Sequence, residues 1–236
     1  MAAPDRIARS LLKPFARACK EFELLEEGDR IAVGVSGGED SRILLDFLLR
    51  YRDRLPFSPD LLAIHVDGSD VGLPDVRPQL IPWLEGLPIT YHVVPLELPP
   101  DEPLPLDCFR CAWNRRRALF TAAADAGCNK VALGHHADDA AVTTLMSLMF
   151  AGRLETMEPK VSFFDGKIVL VRPLIYLPKK DLIYYANAAD YAIPPECPQA
   201  EDAKRDQIER FLRTFGPHQE QIRKNLWRTA REAMGF

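Results

Sequence analysis

Long apolar runs are missing from this chain. None approaches the roughly 18 residues that a membrane-spanning helix needs, and the first residues lack the apolar centre of a signal peptide, so neither a membrane span nor secretion is expected. Cysteine is scarce: the 5 residues are an odd number at uneven spacing, unlike a disulfide framework, and they fit a reducing, cytoplasmic setting. Internal repeats and low-complexity linkers are absent too. So is any large excess of one charge. The formal net charge of −4 argues against a protein that coats nucleic acid non-specifically, but it leaves room for a local basic face. What is present is an ordinary apolar content of 47%, which excludes disorder. At 236 residues the chain is long enough for one large α/β domain, or one domain with appendages, around a sizeable core.

The hydrophobic period switches repeatedly along the chain. Residues 4–25, PDRIARSLLKPFARACKEFELL, carry apolar positions at helical spacing despite Pro14 and predict one N-terminal helix or two. RIAVGV and LLAIHVD read as buried strands, and ITYHVVPLEL and KVALGH as further strands. Between and after them, DSRILLDFLLRYRDR, RRRALFTAAADAG and DDAAVTTLMSLMF read as helices. Strands alternating with helices imply a parallel sheet with helices on both faces. Beyond Pro173 the pattern turns helical, and the proline-rich residues 96–107 form a loop. The expected organisation is a helical extension over 1–27, an α/β domain over 28–200, and C-terminal helices over 201–236 packed on the same domain.

One stretch asks for a chemical explanation. VGVSGGEDSRIL, residues 33–44, interrupts a buried strand with Ser36-Gly37-Gly38 and opens a helix at once. In a parallel sheet, ligands bind where the carboxyl ends of strands turn into helices. Gly37 and Gly38 let backbone N–H groups approach an anion, and the helix beginning near Asp40 points its positive end there. Ser36 and Ser41 add hydroxyl donors, and Asp40 either holds Mg²⁺ or caps the helix. The pattern is neither a GxxxxGK[ST] phosphate loop nor a GxGxxG dinucleotide turn.

Two further groups carry chemistry. GHHADD takes His135, His136, Asp138 and Asp139 from a strand end into a helix start. Its carboxylates either hold Mg²⁺ and move protons, or Asp138 caps the helix beside a solvated Asp139. Cys108 and Cys111 form CxxC at a helix start, and Cys197 lies far along the chain in PPECP. Three thiolates leave a tetrahedral zinc incomplete and suit a [4Fe-4S] cluster with one iron open. The alternatives are a redox dithiol, or zinc completed by water or histidine. Cys19 and Cys128 read as incidental buried thiols.

SGGEDS after the first strand resembles the signature of the PP-loop ATP pyrophosphatases, which cleave ATP between the α and β phosphates and adenylate an oxygen so that it can leave. LGHHADDAAVTTLMSLMFAGRLETMEPK, CFRCAWNRRRALF and VRPLIYLPKKDLIYYANAADYAIPPECP resemble blocks of the TtcA and TtuA branch, which thiolates tRNA bases. The match runs from about residue 20 to about 215, with the motifs in family order. The resemblance implies that Val35, Ser36, Gly37, Gly38, Asp40, Ser41, His65 and Gly134 bind ATP with Mg²⁺, with His65 more a core or rim histidine than a ligand through its side chain. It implies that Asp138 and Asp139 are catalytic, and that Cys108, Cys111 and Cys197 hold a [4Fe-4S] cluster whose open iron carries sulfur. It further implies tRNA as substrate, a cysteine desulfurase or sulfide as sulfur donor, and a homodimer, for which the apolar stripe of the N-terminal helix is the candidate contact. Arg115, Arg116 and Arg117 are expected near the cluster and phosphates. Arg153, Lys160, Arg172, Lys179 and Lys180 are expected on substrate or tRNA backbone.

The chain departs from the family pattern in three places. Glu39 stands where TtcA-like sequences commonly have Lys, Val142 precedes Thr143 where Glu is usual, and FAGR replaces Tyr-Gly-Gly. Extra CxxC zinc modules of the TtuA type are missing, which favours the TtcA side. The three cysteines count against a lysidine synthetase. Glu39 and Val142 are the support for a different class, an ATP-binding or redox-sensing protein without turnover.

Overall fold

The computed structural model describes residues 3–192 and 204–236. Its centre is β1 (Arg30–Gly34), whose Ile31, Ala32 and Val33 are completely buried, as expected of a strand covered on both faces. β1 pairs in parallel with β2 (Asp60–Asp67) on one side and with β4 (Lys130–Ala132) on the other. β3 (Thr90–Pro95) continues beyond β2. β6 (Ile168–Val171) pairs in parallel with β4, and β5 (Lys160–Phe163) pairs antiparallel with β6 at the edge, giving the six-stranded order β3-β2-β1-β4-β6-β5. Strand order reverses between β1 and β4, so the loops after these two strands open a crevice at the carboxyl end of the sheet.

The parallel α/β plan expected from the alternating pattern is present, with an antiparallel edge hairpin that the period did not reveal. Its turn places Phe164, Asp165 and Gly166 at positive φ of 55°, 56° and 85°, conformations that a glycine takes without strain and Asp tolerates.

Helices α1 (Ala3–Glu21), α2 (Glu39–Arg52), α3 (Arg77–Glu85) and α6 (Lys179–Ala188) build the core on one face. Pro14 sits inside α1 without dividing it. The apolar stripe of α1 is consumed here: Ala8, Leu12 and Phe15 are buried, and Phe15 meets Phe47 edge-to-face with ring centroids 5.7 Å apart. This corrects the expectation that the stripe serves a second copy, since burying it within one chain already removes its driving force.

On the opposite face α4 (Cys108–Asp125) packs across β1, β2, β3 and β4. Beside it, between α4 and the β5–β6 hairpin, runs a cavity of about 1110 Å³ lined by Trp113, Arg116, Arg117, Phe163, Phe164 and Lys167 among others.

α5 (Ala137–Met146), α7 (Lys204–Arg213) and α8 (Gln219–Met234) form a helical group at the carboxyl end of the sheet. Val142 is fully buried against Ile208 and Leu212. A glutamate there would be a carboxylate in an apolar contact, so the departure at 142 belongs to the packing of α5 on α7. No helix among the described residues is long and apolar enough to cross a membrane.

Candidate active site

The turn after β1 is held by its own serines. Ser41 Oγ donates to the Gly38 carbonyl at 2.8 Å and accepts from the Ser36 amide at 3.1 Å. Ser41 is therefore buried (5% exposed) and pins the loop, where the sequence suggested an outward hydroxyl donor. Gly37 has φ +92°, and a Cβ on it would lie 2.8 Å from Val76. Gly38 precedes α2 as its cap without a side-chain hydrogen bond, which leaves the first-turn N–H groups of α2 to a ligand.

The second loop meets the first at Gly134. A Cβ there would stand 3.0 Å from the carbonyl carbon and oxygen of Asp40 and 3.2 Å from the Ser41 amide. Only glycine lets the turns after β1 and β4 come this close, and the approach unites the two motifs. Asp139 reaches back to accept from the His136 amide at 2.8 Å and pairs with Arg205. Asp138 accepts from the Lys179 amide at 2.7 Å and lies 3.3 Å from Arg223 Nε. The capping residue is thus Asp139 rather than Asp138, and neither carboxylate is left to solvent.

Electrostatics single out Asp40. Burial pushes its pKa up against the opposing pull of His136 and Lys179. Its Oδ1 is buried with no hydrogen-bond partner among the described residues, as is His136 Nδ1. Burial also raises the cost of ionising Asp139, but the His136 and Arg205 charges outweigh it and hold its pKa below the usual range. An unsatisfied buried carboxylate oxygen at the mouth of an anion-binding turn fits a divalent cation.

Two cavities flank the turns. A small one of about 190 Å³ is lined by Val35, Ser36, Ile64, Val66, Ala112 and Arg115, with others. His65 stands behind it, buried, with Nδ1 2.7 Å from the Val35 carbonyl and its pKa lowered by burial; it ties β2 to β1 as a core histidine. A larger one of about 890 Å³ spreads from Asp40, His136 and Asp138 to Trp227 and Arg228 of α8.

Among the described thiols, two lie at a helix start and two are buried. Asp107 caps α4 by accepting from the Arg110 amide at 2.7 Å, which places Cys108, exposed, and Cys111, half-buried, in its first turn. At i and i+3 they share one helix face. That donor pair fits an iron–sulfur or zinc centre. Cys197 lies outside the described residues, and among those residues no group of three or more ligating side chains converges. Ala112, next to Cys111, shares the small cavity with Ser36. Cys19 and Cys128 are buried, and burial pushes both thiols up.

The expected cations separate into two sets. Arg115 and Arg116 border the cavity beside Ser36, while Arg117 bonds the Glu97 carbonyl at 2.8 Å and lies over Trp113. Lys160 is engaged by the Glu23 carbonyl at 2.8 Å, and Arg172 by His135 and the Glu158 carbonyl. Both are thus held within the chain, and Arg172 also lines the cavity beside α4. Arg153 is exposed near Glu155 and Lys180 pairs with Glu220 at 2.5 Å. Arg205 and Arg223 grip the carboxylates of this turn; the sequence does not single out Arg205, and marks Arg223 only as part of a basic final helix that either touches RNA or packs. Nothing local marks these pairings, because the partners lie on α5, far back along the chain.

A parallel sheet with an SGGxDS turn at its switch point, faced by a second carboxylate turn, defines the chain as an α/β protein of the PP-loop class. It superposes on the U34-tRNA thiolase NcsA from Methanococcus maripaludis, determined with its [4Fe-4S] cluster, with a TM-score of 0.79 over 98% of this chain and 80% of that one; at 19% identity this likeness is one of fold. No family model matches the sequence. Curated relatives do. The tRNA-cytidine(32) 2-sulfurtransferase of Anaeromyxobacter sp. (strain K) is 36% identical over 229 residues, 94% of this chain and 78% of that protein. Its namesake from Polaromonas naphthalenivorans is 36% identical over 89% of this chain and 68% of its own length. The chain belongs to the tRNA-cytidine(32) 2-sulfurtransferase family.

Proposed function

We propose that the protein is an ATP-dependent tRNA sulfurtransferase that adenylates a cytidine oxygen and replaces it with sulfur. The observation that carries this reading is the contact of Gly134 with Asp40 and Ser41, which joins the phosphate-type turn to the Asp138–Asp139 turn in one site beside the Cys108–Cys111 helix start. The relatives' names supply the substrate class.

In this reading the amides of the turn and first α2 residues bind the phosphates, and the small cavity beside Ile64 and Val66 takes the adenine against backbone. Asp40, with its unsatisfied Oδ1, holds Mg²⁺ on the phosphates, and Asp138 and Asp139 orient groups around the transferred phosphoryl. Adenylation turns a poor oxide leaving group into a phosphate monoester, which is the chemical reason to consume ATP. A [4Fe-4S] cluster on Cys108, Cys111 and Cys197 would supply an open iron for sulfur from a cysteine desulfurase or sulfide. Exposed Trp113, Arg116, Arg117, Phe163, Phe164 and Lys167 along the α4 groove combine stacking surface with positive charge, which suits RNA. The cytoplasm, where tRNA is modified, is the corresponding compartment. A homodimer would have to use a face other than the α1 stripe.

The decisive comparison is tRNA from cells with and without the gene. Loss of 2-thiocytidine on deletion, restored by the wild-type gene, is the expected result, and an unchanged thionucleoside profile would overturn it. Pyrophosphate release by purified protein with tRNA separates the enzyme from an ATP-binding sensor, a reading whose support at Val142 is now accounted for by packing.

A further inference from the structure

A triphosphate lying on the turn after β1 needs cationic neighbours, and the turn itself carries none: residues 35–41 contribute two carboxylates, Glu39 and Asp40, and no positive side chain. The next residue, Arg42, is turned away behind the loop. Its Nε donates to the Gly37 carbonyl at 3.2 Å, Nη2 reaches the Gln79 carbonyl at 3.4 Å, and the guanidinium lies over Trp83 with only 3% exposure. The open side of the loop is reached instead by Lys179, at the first position of α6. Its backbone N–H donates to Asp138 at 2.7 Å, which fixes where the side chain starts. Its Nζ then stands 2.8 Å from Glu39 Oε1 and 2.6 Å from Asp40 Oδ2, bordering the cavity that contains Asp40, His136 and Asp138.

We propose that Lys179 is a phosphate-binding cation of this site, delivered from α6 to the side of the turn away from Arg115 and Arg116, and that Glu39 is its positioning residue. The inference rests on the nucleotide-site reading above. One ammonium shared by two carboxylates leaves net negative charge at the mouth, an arrangement that a phosphate would worsen unless the carboxylates are otherwise engaged. When nucleotide binds, Lys179 exchanges Asp40 for a phosphate oxygen while Glu39 keeps hold of its arm. Asp40 is thereby released for the divalent cation that accompanies the phosphates. A glutamate in a phosphate turn is thus an anchor for a cation supplied from 140 residues away, rather than a repulsive charge.

The probe is AMPCPP with Mg²⁺, which cannot be cleaved between the α and β phosphates, with AMP as the comparison, both measured by calorimetry. Lys179→Gln should weaken AMPCPP binding by roughly 10- to 100-fold, the worth of a charge-assisted hydrogen bond, while AMP binding changes by less than about 3-fold. A merely structural role would weaken both alike. Glu39→Lys combined with Lys179→Glu restores the pair in reverse and should recover AMPCPP binding that Lys179→Glu alone has lost. If Lys179→Gln does not fold, this exchange pair decides the matter. Wild-type AMPCPP affinity in Lys179→Gln, or failure of the exchanged pair to bind better than Lys179→Glu, overturns the role of Lys179. Should Gly134→Ala still abolish binding in that case, the nucleotide site itself stands; wild-type protein that binds no AMPCPP overturns the site reading instead.

Discussion

His135 and Asp40 both lie half-buried at the carboxyl end of the sheet, and desolvation acts on them in opposite senses, as charge type requires. Desolvation, reinforced by the Arg172 guanidinium whose Nε donates to His135 Nδ1 at 3.3 Å, pushes the imidazole down to about 4 from an ordinary 6.5. The folded state therefore refuses a proton that the unfolded chain accepts in that window. This contribution to stability is complete above pH 6.5 and erodes as pH falls towards 4, by up to about 1.4 kcal/mol per pH unit for one group. Urea midpoints measured from pH 7 to 4 should fall more steeply in wild type than in His135→Gln; parallel curves would refute the shift. At the same scale, the buried thiols of Cys19 and Cys128 should resist iodoacetamide at pH 8 in folded protein and react after unfolding, read by mass spectrometry.

The β4–α5 turn shows how a single element sets the site. Because a Cβ on Gly134 would press on the backbone of Asp40 and Ser41, the neighbour cannot yield as a flexible side chain would. Gly134→Ala should cost about 1–3 kcal/mol, the usual price of overpacking, and should abolish AMPCPP binding by parting the two turns. A melting curve and calorimetry on the same sample test both halves. Helix α1 offers the contrast of an element whose residues only support. Phe15, fully buried against Phe47 and Tyr51, should lose about 3–5 kcal/mol on replacement by Ala in urea unfolding, with nucleotide affinity unchanged at temperatures where the variant is folded.

Across the whole molecule, α8 closes the site from the far end of the chain. Arg223 is buried between Glu209 of α7, at 2.6 Å, and Asp138 of α5, at 3.3 Å. Removing one partner of a buried charge cluster leaves the others uncompensated, so Arg223→Ala should destabilise by about 3 kcal/mol and slow pyrophosphate release; wild-type values of both would dissociate α8 from the site. The proposed [4Fe-4S] cluster would likewise draw its ligands from distant segments of the chain. Anaerobic reconstitution should give about four irons per chain. Ala at Cys108, Cys111 or Cys197 should abolish the brown chromophore, whereas Ala at Cys19 or Cys128 should leave it. One zinc and no iron would exclude the cluster and require sulfur to pass through a cysteine persulfide.

Local patterns determined much of this. Apolar β1 ending in Ser36-Gly37-Gly38, the alternation of strand and helix, and CxxC at the start of α4 are all settled within about a dozen neighbouring residues, where period and turn chemistry act. The β5–β6 hairpin escaped because its strands are only four residues each, too short for a period to register. α3 escaped because Pro82 argues against a helix whose Leu80 and Leu84 are nevertheless buried in the core. The fate of the α1 stripe, inward or towards a second copy, is invisible to a pattern that reports only that one face is apolar. Only the tertiary structure decided which charges meet. Glu39 reads as a repulsive intruder in a phosphate turn until Lys179, 140 residues later, is found at 2.8 Å, and Arg205 reads as a surface cation until it is found on Asp139, 66 residues earlier. Charge pairing of this kind follows from how the elements pack, because an ion pair needs only proximity in space and leaves no period in the sequence.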